Sequence, residues 1–295
     1  MIGFVLLNYL AYEETLSCVE SISRLEGEKI IAIVDNCSPN ESYQTLCAAY
    51  EGMPGIHVLQ SGGNLGFAVG NNVGYAFLRE HYTCDFIVVM NSDMEITDTL
   101  FLKKIEEIYR ETPFDVLGPD IYSTRDHRHQ NPEAKKNYTY RELKKIRRRL
   151  TLKNVLPFAF YLKWWLRGRR KKKAVEPKPD SDYRNPAEQV VLHGSCYIFS
   201  APFIKKEAHC FYEKTFMYFE SYILAYQCGI KGYVMRYSPK LGLLHHEDVS
   251  TDMAYKKAYK KSAFTVKCLR QSCDVYIQLM KADRKEKRKH VASHE

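Results

Sequence analysis

The first 122 residues alternate between two hydrophobic periods. Apolar runs of strand length, rich in β-branched residues, cover positions 2–7, 29–34, 56–59, 86–90 and 115–121. Stretches with helical spacing lie between them at about 12–25, 43–50, 66–82 and 98–110. Leu16, Val19, Ile22 and Leu25 fall near one face of the first, and Leu100, Ile105 and Ile108 are the apolar positions of the last. Strands alternating with helices predict right-handed βαβ units and a largely parallel sheet. The run at 86–90 stops abruptly at Asn91-Ser92-Asp93. This predicts a buried strand that delivers polar groups and one carboxylate to its C-terminal end, where open α/β sheets bind ligands. An ordinary Asx-type turn accounts for the same three residues, and the local pattern leaves both readings open.

The alternation breaks at 123–189, a stretch that is polar, then basic, then proline-containing, and resumes at Val190. Val190-Val191-Leu192 leads into His193-Gly194-Ser195-Cys196 and then Tyr197-Ile198-Phe199. A helix is predicted from about Glu220, closed by Gly229 to Gly232, followed by strands at 233–237 and 241–244 that run into His245-His246. From 251 the chain is basic and helical in pattern to about Lys281, with a disordered tail expected beyond. The division is therefore 1–122, an insertion at 123–189, a second half of the same domain at 190–252, and a C-terminal helix and tail at 253–295.

Charge changes the picture in one place. Residues 141–173 hold fourteen Lys or Arg against Glu142 alone, a local net of +13 in a chain of net +9, so the remainder carries −4. Basicity this local argues for a localised polyanionic partner. The same segment holds both tryptophans, Trp164 and Trp165, in an apolar block too short to span a bilayer. Aromatic and aliphatic residues in a cationic frame suit an interfacial helix on an anionic membrane surface. A solvated insertion packing its tryptophans on the core, or nucleic-acid binding, are the less favoured alternatives. The N-terminus reads as a first strand, not a signal peptide. Nine cysteines without a Cys-x-x-Cys pair point to free thiols in a reducing compartment and away from zinc. A cytoplasmic protein, peripheral on the inner face of the cytoplasmic membrane, is expected.

Three strand ends are polar together: Asn8-Tyr9, Asp35-Asn36 and Asn91-Ser92-Asp93. A carboxylate after the second strand can accept hydrogen bonds from a ribose or a base, although Asp-Asn-x-Ser is also a capping composition. No Gly-x-Gly-x-x-Gly follows the first strand and no Walker A run exists, which disfavours a dinucleotide or P-loop site. Asn64, Gly66, Gly70, Asn71, Asn72 and Gly74 make a weak helix start. Either the backbone approaches a neighbour or ligand closely there, or the helix packs tightly on the sheet.

Asp35-Asn36-x-Ser38, Asn64-x-Gly66-Phe67-Ala68-x-Gly70-x-Asn72-x-Gly74 and Met90-Asn91-Ser92-Asp93 together resemble family-2 glycosyltransferases. The closest flavour is the rhamnosyltransferase-like group that builds bacterial surface polysaccharides. His193-Gly194-Ser195-Cys196, Thr215-Phe216-Met217-Tyr218, Glu220 and His246-x-x-x-Ser250 follow in the order of that group's acceptor half. The resemblance implies the GT-A fold, an α/β Rossmann-like mixed sheet flanked by helices. It implies inverting transfer of a sugar from a UDP- or dTDP-sugar to a lipid-linked or surface-glycan acceptor. Asn8 and Asp35 would meet the base and ribose. Asn64, Gly66 and Asn72 would shape the donor pocket, Asn91 and Ser92 would face the donor, and Gly194, Ser195 and Tyr218 would belong to the acceptor pocket. Asp93 and His246 would hold Mn²⁺ or Mg²⁺, with His245 an adjacent competitor. Glu220 would be the general base. Relatives usually follow that glutamate with further acids, whereas this chain has Ser221 and Tyr222. That departure keeps a non-catalytic nucleotide-sugar- or glycan-binding protein in view.

Overall fold

The computed structural model describes residues 1–155, 182–246 and 258–292. The tryptophan block of the basic segment, and with it the expected interfacial helix, lies outside the described residues, as does Ser250. The chain divides into two compact units, 1–137 with 180–216 and 220–254, and 138–179 with 217–219 and 255–295.

The first unit is built on one sheet. Strands β1 (Ile2–Asn8), β2 (Lys29–Asp35), β3 (Ile56–Gln60) and β4 (Phe86–Asn91) alternate with helices α1 (Tyr12–Ser23), α2 (Ser42–Tyr50) and α3 (Gly66–His81). Then come β5 (Met94–Glu95), α4 (Phe101–Glu111), β6 (Val116–Ser123), β7 (Arg128–His129), β8 (Ala187–Glu188) and β9 (Cys196–Ser200). Helices α6 (Ala201–Lys206) and α7 (Glu220–Lys231) and strand β10 (Met235–His245) complete the unit. The strand order is β3-β2-β1-β4-β9-β6-β10-β5, with β7 on β6 and β8 on β10.

The side-chain period of two divides the core between the faces. Phe4, Leu6, Ile31, Ile33, Val88 and Met90 pack with Val19 and Ile22 of α1 and Ile105 of α4. Val5, Ala32, Ile87 and Val89 point the other way, against Tyr75 and Leu78 of α3 and Phe203 of α6.

The α/β class is as the pattern predicts, but the sheet is mixed. β1, β2, β3 and β4 pair in parallel, as do β6 and β10. β9 runs antiparallel to both of its neighbours, β4 and β6. The 190–192 run, where the alternation resumes, forms a single bridge from Val191 to Ala134. The two short strands expected near 233–237 and 241–244 are one strand, β10, whose register on β6 shifts between Ser238 and Gly242. Pro239 between them cannot donate to a ladder, which suits a bulge.

The second unit contains α5 (Tyr140–Val155) and α8 (Ala258–Ala292). A capping box starts α5: the Thr139 N–H donates to Glu142 Oε2 at 2.7 Å, and the Glu142 N–H returns to Thr139 Oγ1 at 3.3 Å. The Thr139 N–H and hydroxyl, each donating to Oε2 at 2.7 Å, hold the Glu142 carboxyl below its ordinary range. Arg147 pairs with Asp274 at 2.8 Å, and Cys273 lies against the Leu143 carbonyl. Cys268, Ser272, Cys273, Tyr276, Ile277 and Met280 make one buried face of α8. The tail expected to be disordered continues α8 as far as Ala292. Its Lys, Arg and Glu residues are good helix formers, and their polarity does not prevent propagation from a packed segment. Among the described residues, no helix is long and apolar enough to cross a membrane. All nine cysteines are free thiols.

Candidate active site

The parallel register aligns the polar strand ends. Asn8 sits beside Asp35, and Leu7 beside Asn91. Asn8 and Asp35 are wholly buried. Asn8 Nδ2 donates to Asp35 Oδ2 at 2.7 Å, and Thr15 Oγ1 donates to Asn8 Oδ1 at 2.9 Å. Ser38 closes an Asx-type turn on the same carboxylate, with Oγ donating to Oδ2 at 2.7 Å and N–H to Oδ1 at 2.9 Å. The structure thus brings Asn8 and Asp35 together as a closed hydrogen-bonded pair beneath the strand ends.

Asn36 links this turn to the start of α3. Its Nδ2 donates to Asn64 Oδ1 and to the Gly66 carbonyl, both at 3.2 Å, while its Oδ1 accepts from the Leu65 N–H at 3.0 Å. Asn64 Oδ1 also accepts from the Gly66 N–H at 3.1 Å. The glycines of α3 serve packing. A Cβ on Gly70 would lie 2.6 Å from Leu7, and one on Gly74 2.6 Å from Val5. Gly66, at φ +78°, has the Phe216 carbonyl oxygen 2.2 Å from where its Cβ would be. Asn72 is buried and holds the Phe211 backbone with both ends of its amide.

Beyond β4, Asn91 donates its N–H to the Ser195 carbonyl at 2.9 Å, and Ser92 is buried. Asp93 carries the feature that sets this site apart. Its Oδ1 is buried and makes no hydrogen bond among the described residues. His245 Nε2 stands 3.4 Å away. His245 Nδ1 lies 2.7 Å from Gln130 Oε1, a contact that orients the ring with Nε2 towards Asp93. Nε2 then presents either a lone pair facing a carboxylate or an N–H aimed at it. Two acceptors do not face each other without a cation between them, so the gap calls for a proton or a metal.

His246 points elsewhere. Its Nε2 lies 3.0 Å from Glu95 Oε2 and its Nδ1 3.2 Å from Thr124 Oγ1. The imidazole beside Asp93 is therefore His245 and not His246, whose backbone N–H donates to the Asp93 carbonyl at 2.9 Å while its ring turns to Glu95. Adjacent positions at a strand end take opposite sides.

Behind His245 stands His193, ring centroids 5.8 Å apart. Burial, with the neighbouring His245 adding to it, pushes His193 down to about 3, so it stays neutral. His193 Nδ1 meets Ser195 Oγ at 2.8 Å, and Nε2 lies 3.9 Å from Glu133. Tyr222 OH donates to Glu133 Oε1 at 3.4 Å. Gly194 faces Ser221, whose Oγ would lie 3.3 Å from a Cβ there and accepts from Tyr197 OH at 2.8 Å. Glu220 is the first residue of α7 and is 8% exposed. Gln130 and Glu133 come from the stretch the sequence pattern treats as insertion, and no periodicity or motif marks them. Tyr218 belongs to the second unit, where its hydroxyl lies 3.3 Å from Thr265 Oγ1.

Asp93 and His245 offer a divalent cation one carboxylate and one imidazole nitrogen. No cluster of three or more such ligands occurs among the described residues. Two protein ligands fit a cation that completes its shell with substrate phosphate and water. A cavity of about 260 Å³ is lined by Phe203, Phe211, Cys228 and Tyr233 with the Glu207–Lys231 ion pair, and its lining includes none of Asp93, His193, Glu220 and His245.

The family described as "Glycosyl transferase family 2" matches residues 4–169. A protein of Haloferax volcanii, "Low-salt glycan biosynthesis hexosyltransferase Agl10", is 28% identical over 120 residues, which are 41% of this chain and 36% of that protein. The crystal structure of S. aureus TarS 1–349 in complex with UDP-GlcNAc superposes with a TM-score of 0.54 at 13% identity, covering 90% of this chain and 64% of that one. The same protein in complex with UDP gives 0.52 at 13% identity, covering 85% and 62%. At such identity the likeness establishes the fold, a GT-A-like mixed α/β sheet with flanking helices. The chain spans less than two thirds of each of these relatives.

Proposed function

Because the chain belongs to glycosyl transferase family 2, we propose that it moves a hexose, a rhamnose-type sugar included, from a UDP- or dTDP-sugar to a lipid-linked or surface-glycan acceptor, with inversion. The observation that carries this reading is the buried, unbonded Asp93 Oδ1 facing His245 Nε2 at 3.4 Å at the strand ends, a carboxylate–imidazole pair that a divalent cation can join. The hexosyltransferase name of the haloarchaeal relative and the UDP-GlcNAc complex of the structural neighbour support the donor class.

Asp93 and His245 would hold Mn²⁺ or Mg²⁺, and the imidazole favours manganese slightly. When bound, the cation supplies positive charge against the diphosphate. Asn91 and Ser92, at the end of β4, face the donor. Glu220 takes the proton from the acceptor hydroxyl as its oxygen attacks the anomeric carbon from the face opposite the diphosphate. The C–O bond to the acceptor forms as the bond to the diphosphate oxygen breaks. Burial at the start of α7 keeps water from screening that carboxylate. The acceptor's lipid would place the enzyme on the inner face of the cytoplasmic membrane, and the exposed cations of α5 support such a surface.

The decisive measurement is a thermal-shift screen of nucleotide sugars with Mn²⁺, followed by turnover of the best binder. Asp93→Ala and His245→Ala should each remove the metal-dependent part of the shift, whereas His246→Ala should retain it. Glu220→Gln should retain the shift and lose turnover by about 10²-fold or more. Shifts that ignore both chelator and Asp93→Ala would refute the metal site. A wild-type protein that binds the donor but never turns it over would point to the binding-protein alternative.

A further inference from the structure

Helix α3 grips the segment that leads to Glu220. Asn72 lies in the second turn of α3 and is 5% exposed. Its Nδ2 donates to the Phe211 carbonyl at 2.8 Å, and its Oδ1 accepts from the Phe211 N–H at 2.9 Å. Five residues further along the segment, the Phe216 carbonyl accepts from the Phe67 N–H at 2.7 Å. That same carbonyl occupies the space a Cβ on Gly66 would need. Residues 211–216 are therefore pinned at both ends to the first two turns of one helix. Between the pins, Thr215 is 2% exposed and donates its hydroxyl to the Tyr212 carbonyl at 3.3 Å.

Only Met217, Tyr218 and Phe219 separate this segment from Glu220. Tyr218 and Phe219 both take left-handed backbone conformations, φ +75° and +70°. Two consecutive aromatic residues do not adopt that geometry unaided. The turn itself is held within the second unit, where Ser272 Oγ donates to the Met217 carbonyl at 2.8 Å, and α3 holds the 211–216 segment that precedes it. Both ends of the Asn72 amide are engaged by this segment, Oδ1 also accepting from Cys210 Sγ at 3.2 Å, which leaves one Nδ2 hydrogen.

We infer that Asn72 and Gly66 are positioning residues for Glu220, acting through the 211–216 segment. The inference rests on Glu220 being the base. Residues that look alike in the sequence then divide in role. Asn91 to Asp93 meet the donor, whereas the Gly66–Asn72 part of the helix start sets the base. A base misplaced by about 1 Å can lose 10²-fold in rate, so a remote amide is sufficient to matter.

The test compares Asn72→Ala, Asn72→Asp, Glu220→Gln and the Asn72→Ala/Glu220→Gln double variant in the full chain. Turnover, donor-induced thermal shift and hydrogen exchange of peptides covering 211–220 are measured for each. Asn72→Ala should lower kcat by about 10- to 100-fold with KM for the donor and the thermal shift preserved. Asn72→Asp keeps the acceptor for the Phe211 N–H but sets a carboxylate oxygen against the Phe211 carbonyl, so it should lose at least as much as Asn72→Ala. In the Glu220→Gln background the further loss on Asn72→Ala should shrink to about twofold or less, because the group being positioned is already gone. Exchange in 211–220 should rise in both single Asn72 variants. A loss carried by donor KM, an undiminished loss in the Glu220→Gln background, or unchanged exchange would each overturn the inference. If the wild type turns over no donor at all, the base assignment fails and the positioning role with it, while exchange still reports whether α3 holds the segment.

Discussion

Gly66 shows how much of this molecule is decided at single positions. Its φ of +78° is a conformation other residues reach only with strain, and a Cβ there would meet the Phe216 carbonyl oxygen at 2.2 Å. Gly66→Ala should cost about 2–4 kcal/mol, the left-handed strain plus a displaced backbone. Gly62 has open space around it and no left-handed φ. Gly62→Ala should stay within about 0.5 kcal/mol, as surface changes do. Equal melting temperatures for the two variants would refute the close contact. The sequence marked the Gly66–Gly74 stretch as abnormal, because glycine and asparagine weaken a helix, yet left open what approaches it. The answer is non-local: Leu7 and Val5 approach Gly70 and Gly74, and the segment near 211–216 approaches Gly66 and Asn72. An amide whose partner lies 139 residues ahead leaves no local pattern. The choice between His245 and His246 was closed for the same reason. Period-two alternation says that only one faces Asp93, but which one depends on how the end of β10 meets the turn at Asp93, which neither motif encodes.

At the level of elements, α5 presents a surface of its own. Arg141, Lys144, Lys145, Arg148 and Arg149 are exposed at the spacing of one helical stripe, Leu152 beyond them is 55% exposed, and Leu143 and Leu150 are buried on the opposite side. Stripes of this kind bind anionic lipid surfaces, each cation near the surface adding about 1 kcal/mol. Replacing those five with Gln should release the protein from vesicles containing anionic lipid and leave its melting temperature nearly unchanged. Undiminished sedimentation with the vesicles would remove α5 from the membrane reading. The element pattern itself was legible wherever neighbours in sequence are neighbours in the sheet, as in β1 to β4, because each βα step writes a period change into the chain. It failed at β9. Cys196 to Ser200 carry the apolar run of any buried strand, and nothing in them encodes an antiparallel position between β4 and β6. The same holds for β10, where Pro239 reads as a break and is instead absorbed by a register shift.

The whole molecule responds to alkali through its buried thiols. In the first unit Cys18, Cys84, Cys196, Cys210 and Cys228 are all buried and free. Burial raises each of them above the ordinary thiol value of 9.0, Cys84 to about 11 and Cys228 to about 12. A group whose folded value is raised stays protonated in the native state while the unfolded chain has begun to ionise. Its contribution to stability is complete below 9.0 and is lost as pH climbs towards the folded value. One unit above 9.0, each such thiol lowers unfolding free energy by about 1.4 kcal/mol. Five together approach the roughly 5–15 kcal/mol that holds a typical domain. In reducing buffer the denaturant midpoint should therefore change little between pH 7 and 8 and fall steeply from pH 9 to 10. Cys18→Ala with Cys196→Ala, though less stable at pH 8, should show a shallower fall, since two of the ionising groups are absent from the unfolded chain. A midpoint that holds constant to pH 10, or a slope unaffected by the two substitutions, would show that thiol ionisation does not govern the alkaline limit. The steep fall would set that limit in thiols buried on both faces of the sheet.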